Sequence, residues 1–174
     1  MWFSIAILAA VTLARGAELV VAERNTRRLK AAGAVEAGAS HYPLIVAVHA
    51  AWLLTLWALA WDRPAQPVWL GLFLGLQALR IWVLATLGAR WTTRIIVLPG
   101  APLVRRGPYR LMDHPNYLVV VGEIALLPLA FGLVEVAAAF SALNALVLIL
   151  RIRTEDVALG RRGDPAPGQA NLRL

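Results

Sequence analysis

The sequence contains no cysteine, so disulfide bonds, thiolate nucleophiles and sulfur-ligated metals are all excluded. Other metal chemistry has little support, because His41, His49 and His114 are spaced unlike any short metal motif and no His-Glu-x-x-His is present. We therefore expect no metal site. Internal repeats are absent as well, which argues against a small transporter built from two related halves.

Charged residues are also scarce, at 16%, whereas hydrophobic residues make up 60% of the chain and the mean hydropathy is +0.67. Soluble domains average about 45–50% apolar residues even with glycine counted, so this composition predicts an integral membrane protein. A spanning helix needs roughly 20 mostly apolar residues. The predicted fold is all-α, a polytopic membrane helical bundle. Its five apolar segments lie near residues 2–22, 43–61, 68–87, 117–131 and 134–150.

These segments predict one domain over residues 1–159, followed by a flexible tail at 160–174 that is rich in Gly, Pro and Arg. The last two segments are short and separated by Gly132, so we expect a tight antiparallel hairpin. We expect the first segment to be retained, because no Lys or Arg precedes it as in a signal peptide. Residues 24–40 are polar and predict an interfacial helix and turn.

The formal charge of +7 is concentrated beside the ends of the apolar segments. This positive-inside pattern predicts an outer N-terminus and a cytoplasmic C-terminus in an inner or plasma membrane. The loop at residues 98–117, and with it the active site, is then cytoplasmic. We expect these cations to meet membrane lipids and no nucleic acid. They follow the first, third and fifth segments and are Arg24, Arg27, Arg28, Lys30, Arg90, Arg94, Arg105, Arg106, Arg110, Arg151, Arg153, Arg161 and Arg162.

The predicted topology brings distant residues together. The fourth segment would leave the cytoplasmic face at His114, and the fifth would return to that face just before Arg151. Arg151 and Glu155 are four residues apart and share a helix face, as do His114 and Tyr117, which are three apart. A guanidinium, a carboxylate, an imidazole and a phenol would then surround one pocket, although Arg151 and Glu155 could equally be an ordinary surface pair.

Several motifs follow one another along this half of the chain. In order they are Gly107-Pro108-Tyr109, His114-Pro115-Asn116-Tyr117, an apolar hairpin, and Arg151 followed by Glu155-Asp156. This order resembles the isoprenylcysteine carboxyl methyltransferase family and its phospholipid methyltransferase relatives. The resemblance covers roughly residues 70–159, with Asp156 in place of the family's second glutamate. Such enzymes are embedded in the membrane and use S-adenosylmethionine.

The resemblance implies roles for individual residues. Arg151 would contact the methyl acceptor, and Glu155 would meet the amino acid end of S-adenosylmethionine. The full set implied to bind this cofactor is Ala101, Pro102, Leu103, Val104, Tyr109, His114, Pro115, Asn116, Tyr117 and Glu155.

A second set of residues, mostly in the first half of the chain, suggests a branch of the family. It includes Arg15, Glu18, Asn25-Thr26-Arg27, Gly33, Glu36, Gly38, His41-Tyr42, His49, Arg90-Trp91 and Ile95-Ile96-Val97-Leu98-Pro99-Gly100. These residues are similar to those of bacterial members that accompany type III polyketide synthases. Those members O-methylate long-chain alkylpyrones or alkylresorcinols, so we expect a lipid-like acceptor of this class. Prenylated cysteine, methylated on its α-carboxylate, is the main alternative.

Methyl transfer needs an anionic acceptor oxygen to be positioned, for which Arg151 is the first choice and Arg80 the second. An acidic hydroxypyrone is already ionised at neutral pH, whereas a resorcinol would benefit from a base such as His41 or His114. Trp91 lies close to the motifs and is expected to border the acceptor tunnel.

Four ionisable residues, Arg15, Glu18, Arg80 and Glu123, interrupt the apolar segments and are expected to face the interior of the bundle. The sequence leaves open whether they pair with one another or contact a ligand. It also leaves open the oligomeric state, and a non-catalytic membrane subunit or a small transporter remains an alternative to an enzyme.

Overall fold

The computed structural model describes residues 1–160, so the tail predicted to be flexible lies outside the described residues from position 161 onward. Five helices form the bundle, and two short strands lie in the connections between them. The elements are α1 (Trp2–Ala31), β1 (Val35–Ala37), α2 (Tyr42–Ala60), α3 (Pro67–Leu87), β2 (Ile95–Val97), α4 (Pro115–Ala130) and α5 (Val134–Ala158), with single 3-10 turns at Ala39–His41, Gly88–Arg90 and Gly107–Arg110.

Four of these helices are long and apolar enough to cross a membrane, and α4 is a shorter apolar helix. The 16 residues of α4 extend about 24 Å at 1.5 Å per residue. That falls short of a hydrocarbon core of about 30 Å, as expected for one arm of a hairpin. Large apolar side chains such as Leu13 (74% exposed), Val68 (70%) and Ile81 (69%) face outward. The chain is therefore an integral membrane protein, and the all-α bundle is confirmed.

Two helices run further than their apolar segments. The prediction of a separate interfacial helix over residues 24–40 is wrong, because α1 continues without a break to Ala31. Its polar last turns contain good helix formers and no glycine or proline until Gly33, whose φ of +89° ends the helical path. Likewise α5 continues past Leu150 to Ala158. Both extensions carry polar residues beyond the apolar part of the bundle.

The core lies where α1 to α5 meet and is filled by leucine and aromatic side chains. Gly122 permits close packing of α4 on α3, since a Cβ at that position would lie 2.3 Å from Cδ1 of Leu76. Gly132, with φ of +69°, makes the tight turn between α4 and α5 that the sequence predicts. The buried core residues are Leu8, Val11, Trp52, Leu56, Ala60, Phe73, Ile124, Leu127, Phe131 and Leu133.

The two strands form a small antiparallel ribbon that the sequence does not predict. Glu36 is paired in register with Ile96. Its carboxylate also contacts Lys30 at the end of α1, 2.5 Å away, and Arg94 just before β2, 2.7 Å away. The ribbon and these ion pairs join the end of α1 to the loop that follows α3.

Candidate active site

The functional motifs gather at one end of the bundle, here called the loop end, where α1, α3 and α5 finish and α2 and α4 begin. Asn25 of α1 is hydrogen-bonded to the loop after α3, since its Nδ2 donates to the carbonyls of Gly88 (3.2 Å) and Trp91 (2.8 Å). Tyr42 at the start of α2 contacts the same loop, with its hydroxyl 3.0 Å from Oγ1 of Thr93. The loop end is thus held by side chains from separate helices.

The Gly107-Pro108 turn is fixed against the end of α3. Gly107 has φ of +55°, and a Cβ there would lie 2.4 Å from Oγ1 of Thr86. Only glycine combines that backbone conformation with such close contact. Pro108 is buried directly after it. The turn therefore positions Tyr109 and the start of α4.

Tyr117 is the centre of the polar contacts at the loop end. Its hydroxyl donates to Oε2 of Glu155 and accepts a hydrogen bond from Nε of Arg151 at 2.9 Å. Arg151 also donates from Nη2 to the carbonyl of Thr93 at 2.7 Å. Within residues 1–160, Arg151 and Glu155 form no direct ion pair, and the phenol bridges them instead. The structure thus brings the two ends of the hairpin together as predicted.

His114 extends this cluster. Its Nε2 lies 3.1 Å from Oδ1 of Asp156, and its ring stacks on Tyr117 with centroids 5.2 Å apart and planes inclined by 21°. The Asp156 carboxylate therefore contacts the imidazole, while the neighbouring Glu155 contacts the phenol. Asp156 is thereby joined to the polar cluster around Tyr117.

A first cavity of about 190 Å³ opens among these side chains. It is lined by nine of the ten residues predicted to bind the cofactor, namely Ala101, Pro102, Leu103, Val104, Tyr109, His114, Asn116, Tyr117 and Glu155. The tenth, Pro115, begins α4 and is fully buried, so its ring serves to start the helix.

The first cavity is also lined by two arginines and by residues of β2, which the sequence did not assign to the cofactor site. Arg90 and Arg94 line it together with the strand residues Ile95, Ile96 and Val97. Arg90 also contacts the segment at residues 101–104, because its Nη1 donates a hydrogen bond to the carbonyl of Pro102 at 2.7 Å. The adjacent Arg90-Trp91 and Ile95-Ile96-Val97 motifs were the available signal, but only the fold shows that they face the cavity.

An ion pair between Arg94, which lines the first cavity, and Glu36 of β1 links the cavity to the ribbon. Burial alone raises the pKa of Glu36, but hydrogen bonds from Lys30 and Arg94 outweigh it and leave that pKa below its usual value. The hydrogen bond to Glu36 raises the pKa of Arg94. Arg94 also stacks on Tyr42, with Cζ 4.1 Å from the ring centroid.

A second cavity of about 300 Å³ extends from the loop end into the apolar part of the bundle. It contains all three residues predicted to bind the acceptor, Arg80, Trp91 and Arg151. Leu19 of α1 and Val46 of α2 form part of its wall and are 50% and 42% exposed, so the cavity approaches the lipid-facing surface between these helices. The two cavities share a wall made of Trp91, Thr92, Asn116, Tyr117 and Arg151.

His41 does not reach this shared wall and lines neither cavity. The 3-10 turn at Ala39–His41 directs its ring toward Gly38, where a Cβ would lie 2.2 Å from Cε1 of His41 and 2.9 Å from Cγ2 of Thr154. The prediction that His41 acts as a base is therefore not supported by its position. His49 lines the second cavity instead, with Nδ1 hydrogen-bonded to the carbonyl of Ile45 at 2.8 Å.

The four intramembrane charges pair with one another, which the sequence had left open. The Glu123 carboxylate accepts hydrogen bonds from Nε of Arg80 at 2.9 Å and from Nη2 of the same residue. The Glu18 carboxylate forms ion pairs with Nη1 of Arg80 at 3.0 Å and Nη1 of Arg15 at 2.9 Å. Gln77 donates to Glu123 at 2.6 Å. All four charged residues also line the second cavity, so pairing and ligand contact are compatible.

The fold and the site together define a class: an integral membrane protein whose polar and apolar cavities meet at one wall. The profile of the isoprenylcysteine carboxyl methyltransferase family matches residues 69–161, more than half of the chain. The chain belongs to that family and is thereby a membrane methyltransferase.

A relative in Bacillus subtilis (strain 168), described as the uncharacterized protein YpbQ, is 44% identical over 163 residues, which cover 91% of this chain and 95% of the relative. No solved structure matches the chain significantly.

Proposed function

We propose that this protein is an S-adenosylmethionine-dependent O-methyltransferase. Its first cavity would bind the cofactor, and its second would hold a long-chain alkylpyrone or alkylresorcinol that is methylated on an acidic ring hydroxyl. The observation that carries the proposal is the wall shared by the two cavities, because a transferred methyl group must pass between neighbouring ligands. Trp91, Asn116, Tyr117 and Arg151 are among the residues that line both cavities.

The first cavity offers hydrogen-bond acceptors that would suit the cofactor's N–H and ammonium groups. Oδ1 of Asn116 is buried and has no hydrogen-bond partner among the described residues, so it could accept a hydrogen bond from a bound N–H group. The Glu155 carboxylate suits the ammonium group, and residues 101–104 line the cavity beside it. Bound S-adenosylmethionine would supply an electrophilic methyl group, and its transfer to an anionic oxygen cancels charge, which a site poor in water favours.

Arg151 is the residue best placed to hold the acceptor oxygen. It borders both cavities, and its Nη2 and Nε are fixed by Thr93 and Tyr117, so its guanidinium is oriented before any ligand binds. An acidic hydroxypyrone reaches the site already ionised, so no base is required for it. The indole Nε1 of Trp91 is buried without a partner in the part of the chain that the structure describes, which leaves a donor at the same wall.

The second cavity suits a lipophilic acceptor that arrives from the bilayer. Most of its wall is apolar, including Val11, Leu53, Phe73 and Ile124. The position of Leu19 and Val46 supports access between α1 and α2. By the positive-inside rule, the loop end would face the cytoplasm, where a water-soluble cofactor is available.

Cofactor binding is tested with detergent-purified protein and labelled S-adenosylmethionine. We expect saturable binding that Glu155→Gln and His114→Ala weaken. Glu23→Gln is the matched control, because Glu23 lies on the exposed side of α1 in a surface pair with Arg27 and lines neither cavity. Folded wild-type protein that binds no cofactor would refute the enzyme assignment.

The acceptor is tested by incubating the protein and labelled cofactor with either an alkylpyrone or a prenylcysteine. A base-stable labelled product from the alkylpyrone is the methyl ether expected here. A base-labile product from the prenylcysteine alone would be a methyl ester and would replace the proposed acceptor while leaving the methyltransferase intact.

A further inference from the structure

We propose that Arg15 recognises a second oxygen on the acceptor ring, at the end away from the oxygen that is methylated. This inference rests on the proposed function and specifies which acceptors the second cavity prefers. It concerns the ion cluster formed by Arg15, Glu18, Arg80 and Glu123, which lines that cavity within the apolar part of the bundle.

The two arginines of the cluster differ in how completely they are paired. Arg80 has only 6% of its side chain exposed and directs Nε, Nη1 and Nη2 to carboxylate oxygens. Arg15 is 22% exposed and has one short contact, to Glu18 at 2.9 Å, while its contacts with Glu123 and Gln77 are both 3.5 Å. Its Nε is buried and has no hydrogen-bond partner within residues 1–160. Donor capacity therefore remains on Arg15.

The charge of the cluster indicates what Arg15 would bind. Two arginines pair with two glutamates, so the cluster has no net charge. If the ligand carried a further full negative charge beyond the one on its methylated oxygen, that charge would lie close to both carboxylates and be repelled. A neutral oxygen acceptor such as a ring carbonyl needs only a hydrogen-bond donor. A 2-pyrone carries such a carbonyl, and an alkylphenol with a single hydroxyl does not.

The depth of the cluster agrees with this choice. Tyr117 and Glu123 both line the second cavity and are six residues apart on α4, which separates them by about 9 Å along the helix at 1.5 Å per residue. The carbonyl and hydroxyl oxygens of a 4-hydroxy-2-pyrone lie two ring positions apart, and the ring with one hydrogen bond at each of these oxygens bridges a distance of this order. Trp52 and Phe73 also line the second cavity, and their apolar side chains suit contact with the alkyl chain of the acceptor.

The inference is tested with two acceptors of equal chain length, a 6-alkyl-4-hydroxy-2-pyrone and a 3-alkylphenol that lacks the second oxygen. For wild type, we expect the pyrone to bind at least tenfold more tightly, because the alkylphenol lacks both the hydrogen bond to Arg15 and the ionised oxygen at Arg151. Arg15→Met should weaken binding of the pyrone about tenfold and leave binding of the alkylphenol within about twofold. Both Kd for each ligand and kcat/KM for methylation are measured.

Two further variants keep the test decisive. Arg15→Met combined with Glu18→Gln preserves the charge balance, so it covers the case in which the single variant misfolds, and cofactor binding reports folding. Arg27→Met is the matched control, because Arg27 is exposed and lines neither cavity.

The possible outcomes separate this inference from the proposed function. Equal weakening of both ligands, or a wild type that binds them equally, would overturn the role of Arg15 alone. A binding preference that Arg15→Met abolishes, without methylation of either ligand, would support the recognition and overturn the proposed reaction. Binding of neither ligand would overturn both.

Discussion

Removing the hydroxyl of Tyr117 should show whether the phenol bridge organises the cofactor site. Tyr117→Phe keeps the ring that stacks on His114 but deletes the atom that joins Glu155 to Arg151. A hydrogen bond to a charged group contributes about 1.5–3 kcal/mol. Glu155 and Arg151 are each only partly buried, so water would replace part of both lost contacts. We expect a net loss of about 2 kcal/mol of cofactor binding, or about a 30-fold increase in Kd.

The assay is equilibrium binding of labelled S-adenosylmethionine to purified protein, with thermal unfolding measured in parallel. Tyr42→Phe is the matched control, because Thr93 Oγ1 is the one hydrogen-bond partner of that hydroxyl within residues 1–160, and Tyr42 lines the second cavity and not the first. That variant should bind the cofactor nearly as wild type does. If Tyr117→Phe also bound it with unchanged affinity, the bridge would have no part in organising the site.

Three other perturbations test separate parts of the structure. Glu36→Gln should lower the Tm at neutral pH. The pKa of Glu36 is depressed in the folded state, so its stabilisation is fully present above the usual value of 4.5 and is lost as the pH falls through the lower folded-state pKa. A Tm difference of unchanged size after Glu36 is fully protonated in acid would contradict this account. Gly107→Ala should destabilise the fold by about 1–3 kcal/mol, because Gly107 has a positive φ and a Cβ there would clash with Thr86. The control Gly16→Ala, whose Cβ would meet no neighbouring atom, should not be destabilising. Equal effects of the two changes on thermal unfolding would argue against this role of Gly107. Arg151→Gln should reduce kcat/KM for the acceptor about 10- to 100-fold, and an unchanged rate with the alkylpyrone would remove Arg151 from the acceptor site.

The accuracy of the sequence predictions differed between local and non-local features. The apolar segments at residues 43–61 and 68–87 are each long enough to span a membrane, so the helices there were placed to within a turn. The polar ends of α1 and α5 were cut short, because hydropathy marks the edge of the apolar layer and not the end of the helix. The ribbon was missed, because three-residue strands carry too little pattern to identify and depend on pairing across the fold.

The same division applies to the site. Tyr117 and Glu155 could be placed together because a short hairpin fixes where its two ends meet, and the structure shows the contact. His41 was expected to act as a base, but the 3-10 turn at Ala39–His41 directs its ring toward Gly38, and it lines neither cavity. No periodicity reports such a local change of helix type.

The sequence by itself determined that this chain is a helical membrane protein and which loop carries its polar motifs, because composition and spacing act locally along the chain. Only the tertiary structure decided how Arg15, Glu18, Arg80 and Glu123 pair and that two cavities share one wall. Those features depend on the rotation of each helix about its own axis. Side-chain packing between helices sets that rotation, and hydropathy along one chain does not record it.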